Sequence, residues 1–306
     1  MILCCGEVLI DMLPRQSSDG ETSFAPYSGG AACNTAIALG RLGALAGCYS
    51  GISSDMFGTF LIEGLKASNV DVSLVAPADR PTTLAFVELV DGQASYAFYD
   101  ENTAGKMIEI ADLPDLPESV STVVCGGISL AVEPCGEAYE TLFLREARNK
   151  VTVFDPNIRP GFITDEQAYR ARIDRMIDAS DIVKMSVEDL DWILGDGNTT
   201  LRVRQLIERG VSLVCVTDGE KGATAYIGER EVSVQATPVT VVDTVGAGDT
   251  FNAGLLATLQ SKGCLRKELI ANLSDEVLQE ALSLATRSAT MSVSRAGANP
   301  PWSTEL

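Results

Sequence analysis

The chain predicts an α/β fold: a doubly wound, mostly parallel sheet with helices on both faces. Three observations carry that expectation. Short apolar runs recur at 2–5, 122–125, 151–154, 182–185 and 213–217, as strands buried on both faces require. Segments of helical periodicity lie between these runs. The two kinds alternate over most of the 306 residues, the pattern of parallel strands joined by crossover helices.

Taken in order, Ile2-Leu3-Cys4-Cys5 has no basic leader and soon meets Glu7, so it reads as a buried first strand and not a secretory signal. Helices are expected at 31–42, 57–67, 135–149, 166–178, 187–194 and 200–208, and then at 250–260 and 275–291. Two stretches break the alternation. Residues 13–27 are polar and then strand-like, while 84–90 and 95–99 flank Asp91-Gly92 as hairpin strands do, opened by Pro81-Thr82-Thr83. No linker, repeat or low-complexity segment interrupts the chain, so one domain over 1–306 is expected.

Composition removes several function classes. Lys and Arg total 23 against 42 Asp and Glu, a formal charge of −19, which makes nucleic acid and anionic membrane poor partners. No apolar run reaches the roughly 20 residues that cross a bilayer. Eight cysteines are scattered without a C-x-x-C pair, mostly in strand-like contexts, which fits a reduced, cytoplasmic setting. Histidine is absent, excluding histidine-dependent triads and histidine-built zinc sites.

The richest stretch is Asp243-Thr244-Val245-Gly246-Ala247-Gly248-Asp249-Thr250-Phe251-Asn252-Ala253-Gly254. A β-branched run stops at small residues, and an apolar helical pattern begins straight after. A helix start offers unsatisfied N–H groups and partial positive charge, so an anion belongs there. Asp249 would repel phosphate unless it takes a proton from a nucleophilic hydroxyl; the alternative is an ordinary N-terminal cap. Asp11 after the first strand and Asn34 read equally well as a turn residue and a helix-start residue.

This stretch closely resembles the second signature of the ribokinase-like (PfkB) carbohydrate kinases. Gly29-Gly30-Ala31-Ala32-Cys33-Asn34-Thr35-Ala36, running on to Gly43, resembles their first. The similarity extends from Gly6 to Ala298. It implies ATP-dependent transfer to a primary hydroxyl of a small sugar, with Asp249 as base and the amides of Gly246, Ala247 and Gly248 as anion hole. It places Asp11, Gly30 and Asn34 at the sugar. It also implies a small β-sheet lid within about 12–28 and 83–100 that covers the sugar and pairs with its twin in a homodimer.

Asp155-Pro156-Asn157-Ile158-Arg159 resembles a segment shared by fructokinases and 2-keto-3-deoxygluconate kinases, with Arg159 facing the site. The strands bearing Phe98, and the segment 127–134 with Ser129, resemble those of bacterial fructokinases, which favours fructose. Gly105 stands where many fructokinases carry an Asp, a departure that counts against it. The resemblance assigns Lys184, Ser186, Thr217, Gly219 and Gly222 to the nucleotide. Glu188 or Asp189 would hold magnesium through water, since Ser186 and Asp189 replace the usual Asn and Glu. Asp243 with residues 292–297 would suit potassium. The alternatives are 2-keto-3-deoxygluconate kinase, then ribokinase or nucleoside kinase, and, outside the enzymes, a non-catalytic sugar-binding regulator.

Overall fold

The main sheet follows from the five apolar runs. The computed structural model describes residues 1–90 and 93–306, so the expected Asp91-Gly92 turn lies outside the described residues. Among these, nine strands order as Arg230–Val234, Ala223–Ile227, Leu213–Thr217, Ile182–Ser186, Val151–Asp155, Thr122–Gly126, Ile2–Cys5, Ala46–Tyr49 and Val70–Asp71. Ala223–Ile227 is antiparallel to both its neighbours, and the other pairs are parallel. Its pairing with Arg230–Val234 was not expected, although Gly228, at φ 55°, marks the turn.

Period-two alternation sorts the core. Ile2 and Cys4 face one cluster, with Leu39, Leu61, Phe251 and Leu278, while Leu3 and Cys5 face another, with Leu142, Phe143, Ile173 and Leu190. Both faces of the sheet are thus covered by helices, as the apolar runs predict.

The helices at 166–178 and 187–194 lie where periodicity puts them. Three differ. Cys135–Glu146 stops three residues short of the expected end. Asp275–Val293 runs two residues further. Ala247–Ser261 begins three residues early, because the small residues Ala247 and Gly248 carry no apolar signal and still form the first turn. That helix packs closely on Asp275–Val293: a Cβ on Gly254 would lie 2.5 Å from Ala285 Cα.

A separate four-stranded sheet takes the order Thr22–Gly29, Leu9–Gln16, Leu84–Val90, Gln93–Tyr99. Leu9–Gln16 is antiparallel to the first and parallel to Leu84–Val90. Phe24, Phe86 and Tyr99 stack edge to face at 5.0 and 5.4 Å, with Phe24 and Tyr99 exposed. Phe98, adjacent to Tyr99, instead meets Phe162 at 4.5 Å.

The chain leaves Ile2–Cys5 toward one edge of the main sheet and returns through Thr122–Gly126 toward the other. Strand order reverses there, and doubly wound sheets bind ligands beyond the carboxyl ends of the strands at such a point.

Candidate active site

Five strand ends converge on one cleft of 1460 Å³. Drug-sized ligands fill about 300–1,000 Å³, so this cleft has room for two side by side. Glu7 and Asp11 enter it after the first strand, Ile128 after Thr122–Gly126, and Asn157 and Arg159 after Val151–Asp155. Ser186 and Glu188 follow the next strand, and Thr217, Gly219 and Gly222 the one after.

The floor is the start of helix Ala247–Ser261. Gly246 is its N-cap at φ 74° and ψ 6°, a left-handed conformation that glycine adopts without a Cβ penalty. The N–H of Ala247 is given to the Thr244 carbonyl at 3.2 Å. Those of Gly246, Gly248 and Asp249 make no hydrogen bond among the described residues. An oxyanion is the natural complement of such donors.

Asp249 is buried in this first turn, and Asn34 Nδ2 donates to its Oδ2 at 2.9 Å. Burial pushes its carboxyl up to about 7; Asn34 and Lys184 pull it down, and Asp155 and Glu7 add to the rise. A carboxylate in that range can take up a hydroxyl proton near neutral pH.

Asp11, Gly30, Asn34, Phe98 and Arg159 all line the cleft. The Asp11 carboxylate accepts no hydrogen bond among the described residues, and burial, then the charge of Asp243, pushes it up to about 6. Arg159 is exposed, with one bond from Nη1 to the Ile158 carbonyl and no ion pair among the described residues. Thr217, Gly219 and Gly222 line the cleft too, as do the exposed Val239 and Val241. Lys184 is buried against the anion loop, with Nζ 2.9 Å from Asp155 Oδ2.

Three residues proposed from the sequence are differently engaged. Ser129 does not line the cleft: its hydroxyl turns to the Gly126 carbonyl at 3.4 Å and its N–H to Glu7 Oε2 at 3.1 Å. Asp189 touches the wall, but its Oδ1 accepts from Ile158 N–H, and its Oδ2 accepts from both the N–H and hydroxyl of Ser186 in a capping box. Glu188, beside it, is exposed on the cleft, its carboxylate with no hydrogen bond or ion pair among the described residues. Asp243 lies off the wall, accepting from Val245 N–H at 3.0 Å and Gly297 N–H at 2.9 Å.

Sequence reasoning overlooked Glu7 and Asn252. The Glu7 carboxylate accepts from Ala31 N–H and Ser129 N–H, both at 3.1 Å, joining the first helix to the loop at 127–129. Its signal was an acid directly after the first buried strand. Asn252 donates to Asp155 at 2.6 Å; its signal was a polar residue three positions beyond Asp249 on an otherwise apolar helix.

Comparisons with known proteins give the family. The pfkB family of carbohydrate kinases matches residues 1–305. A fructokinase of Rhizobium leguminosarum bv. trifolii is 55% identical over 279 residues, covering 91% of this chain and 86% of that protein. A fructokinase of Salmonella typhimurium is 34% identical and covers 84% of each chain. The crystal structure of a fructokinase from Xylella fastidiosa with bound ATP superposes with a TM-score of 0.87 at 27% identity, over 97% of this chain and 93% of that one. With the match spanning nearly every residue and a carboxylate beside unpaired helix-start amides, this chain belongs to the pfkB family of carbohydrate kinases.

Proposed function

We propose that the chain is an ATP-dependent fructokinase that phosphorylates a primary hydroxyl of the sugar. The observation that carries this is Asp249, a buried carboxylate raised to about 7 beside three unspent amides. Asp249 takes the hydroxyl proton, and the oxygen of that hydroxyl attacks the γ-phosphorus in line while the bond from that phosphorus to the β-phosphate oxygen breaks and ADP leaves. The amides of Gly246, Gly248 and Asp249, with Ala247 shaping their turn, absorb charge on the transferring group. A non-catalytic sugar binder needs no such base. Identity to fructokinases supports fructose over 2-keto-3-deoxygluconate, ribose or a nucleoside.

Asp11 and Asn34 bind sugar hydroxyls and Gly30 lets the backbone approach, while Phe98 closes the site from the four-stranded sheet, which acts as a lid. Ser129 acts at one remove, through Glu7. Arg159 neutralises phosphate, and Lys184 and Ser186 serve the nucleotide together with Thr217, Gly219 and Gly222. The exposed aromatic edge of Phe24 and Tyr99 is the surface through which two lids pair in a homodimer. The reaction belongs in the cytoplasm, where ATP is supplied.

Magnesium fits this donor set. No group of three or more His, Cys, Asp or Glu side chains among the described residues could hold a metal alone. Mg²⁺ keeps most of its waters and arrives bound to phosphates, so one open carboxylate suffices, and Glu188 is that group while Asp189 fixes the turn behind it. When bound, Mg²⁺ neutralises phosphate charge. For potassium the fit rests on Asp243, which joins residues 243–245 to Gly297 beside the anion loop.

The test is steady-state kinetics with ATP and a panel of fructose, 2-keto-3-deoxygluconate, ribose and a nucleoside. Fructose should have the highest kcat/KM. ATP turnover with none of them would refute the reading.

A further inference from the structure

Beneath the anion loop lies a buried polar cluster that substrate does not explain. Asp155 ends its strand, and its Oδ2 accepts from Lys184 Nζ at 2.9 Å and from Asn252 Nδ2 at 2.6 Å. Asn252 follows Asp249 by three residues, on the same face of the same helix. Lys184 also abuts the loop: a Cβ on Gly248 would lie 2.8 Å from its Nζ. One carboxylate thus links two strands to the helix turn that carries the anion donors and Asp249.

As a source of stability the cluster is a poor device. A buried ion pair is often no better than well-packed apolar residues. Here Asp155 Oδ1 and Asn252 Oδ1 are also buried without a hydrogen-bond partner, which adds cost. Resting on the reading of Asp249 as the base, we infer that Asp155 is a positioning residue for phosphoryl transfer. Through Asn252 and Lys184 it holds the base and the anion loop as one rigid unit.

Its charge gives a readout that packing alone would not move. The titratable groups facing Asp249 are Asp155 and Lys184 on the sheet, Glu7 after the first strand, and the thiols of Cys4 and Cys33; Asn34 donates its hydrogen bond. Removing the negative charge of Asp155 lets Asp249 ionise more easily, so the acidic limb of kcat should move to lower pH. A less basic, less firmly held base should also lower the plateau.

The experiment compares pH profiles of kcat for the wild type, Asp155→Asn, Lys184→Met, Asp155→Asn with Lys184→Met, and Asp249→Asn. Asp155→Asn should lose at least tenfold in kcat, keep the fructose KM within threefold and shift its acidic limb down. The double variant strands no buried ammonium. It should melt at or above the wild-type temperature yet remain at least tenfold down in kcat. Where Asp155→Asn alone fails to fold, a kcat still tenfold below that of Lys184→Met alone decides for Asp155, and a kcat equal to it decides against. Wild-type kcat in the double variant, or an unmoved limb in a folded Asp155→Asn, overturns the inference. Retained activity in Asp249→Asn would instead overturn the reading of the base on which it rests.

Discussion

The floor of the cleft and its nucleotide wall are built on opposite plans. On the floor, Asn34, Asp155, Lys184, Asp249 and Asn252 are buried and tied to one another before any ligand arrives. On the wall, Glu188 and Val241 are exposed, and Arg159 spends only one bond on its own backbone. A reacting group gains from fixed dipoles that need no reorganisation during the reaction. A nucleotide brings its own charges and metal and can complete a wall that is left open. Substitutions on the floor should therefore change kcat, and those on the wall should chiefly change KM.

The largest effect tests the floor. Asp249→Asn should lower kcat by about 10²–10⁴ while nucleotide still binds. In the wild type, kcat should fall as pH drops through about 7, because the base must be ionised. Stability should move the other way. The folded carboxyl sits above its unfolded value of about 3.9, so the folded state binds more protons between these values and stability declines as pH rises through that window. Asp249→Asn removes the burden of a buried charge. Its gain in melting temperature over the wild type should be larger at pH 8 than at pH 5, and an equal gain at both would mean that Asp249 is not raised.

Next come two residues that the sequence placed together at the sugar. Asn34→Ala removes the only donor to Asp249 among the described side chains, so it should lower kcat as well as weaken fructose binding. An unpaired buried partner costs roughly 1–3 kcal/mol, about 5- to 150-fold. Losing that donor should also move the acidic limb up, since Asn34 holds Asp249 down. Asp11→Ala should raise the KM for fructose by a similar factor and leave the limb in place. Calorimetry and a pH series on both variants separate the roles, and identical behaviour would erase the distinction.

What was legible in the chain follows the same division. The anion loop was readable because its chemistry is local: Gly246 to Asp249 are consecutive, and small residues before an apolar helix are a signal in themselves. The parallel sheet was readable because burial on both faces leaves uninterrupted apolar runs. The floor beneath was not, since Asp155 meets Lys184 across 29 residues and Asn252 across 97. The choice left open between Glu188 and Asp189 is instructive. Ser186 followed three residues later by an acid is a capping-box spacing, and this pattern already favours Asp189 as the inward carboxylate.

That spacing supplies a smaller test on the wall. Glu188→Gln should raise the KM for MgATP several-fold, most visibly at low magnesium, without changing the melting temperature. Asp189→Ala should do the reverse: it frees Ile158 N–H and opens the turn at Ser186, so it should destabilise by about 1–2 kcal/mol. Equal magnesium dependence in the two variants would remove Glu188 from its assigned place.

The smallest effect concerns Arg159 and sharpens the choice of substrate. Its guanidinium faces the cleft with no ion pair among the described residues, so its forked donors are available to phosphate or to a substrate carboxylate. Arg159→Lys keeps the charge and loses the fork. If Arg159 meets only ATP phosphates, kcat/KM for fructose and for 2-keto-3-deoxygluconate should fall together, by a few-fold. If it grips a carboxylate, the keto acid should suffer more, because a bidentate pair outweighs single bonds to neutral hydroxyls. With fructose as the proposed substrate, the expected outcome is the parallel fall, and the wild type should prefer fructose. A tenfold wild-type preference for the keto acid, about 1.4 kcal/mol in transition-state binding, would move the substrate assignment while leaving the base and the anion loop untouched.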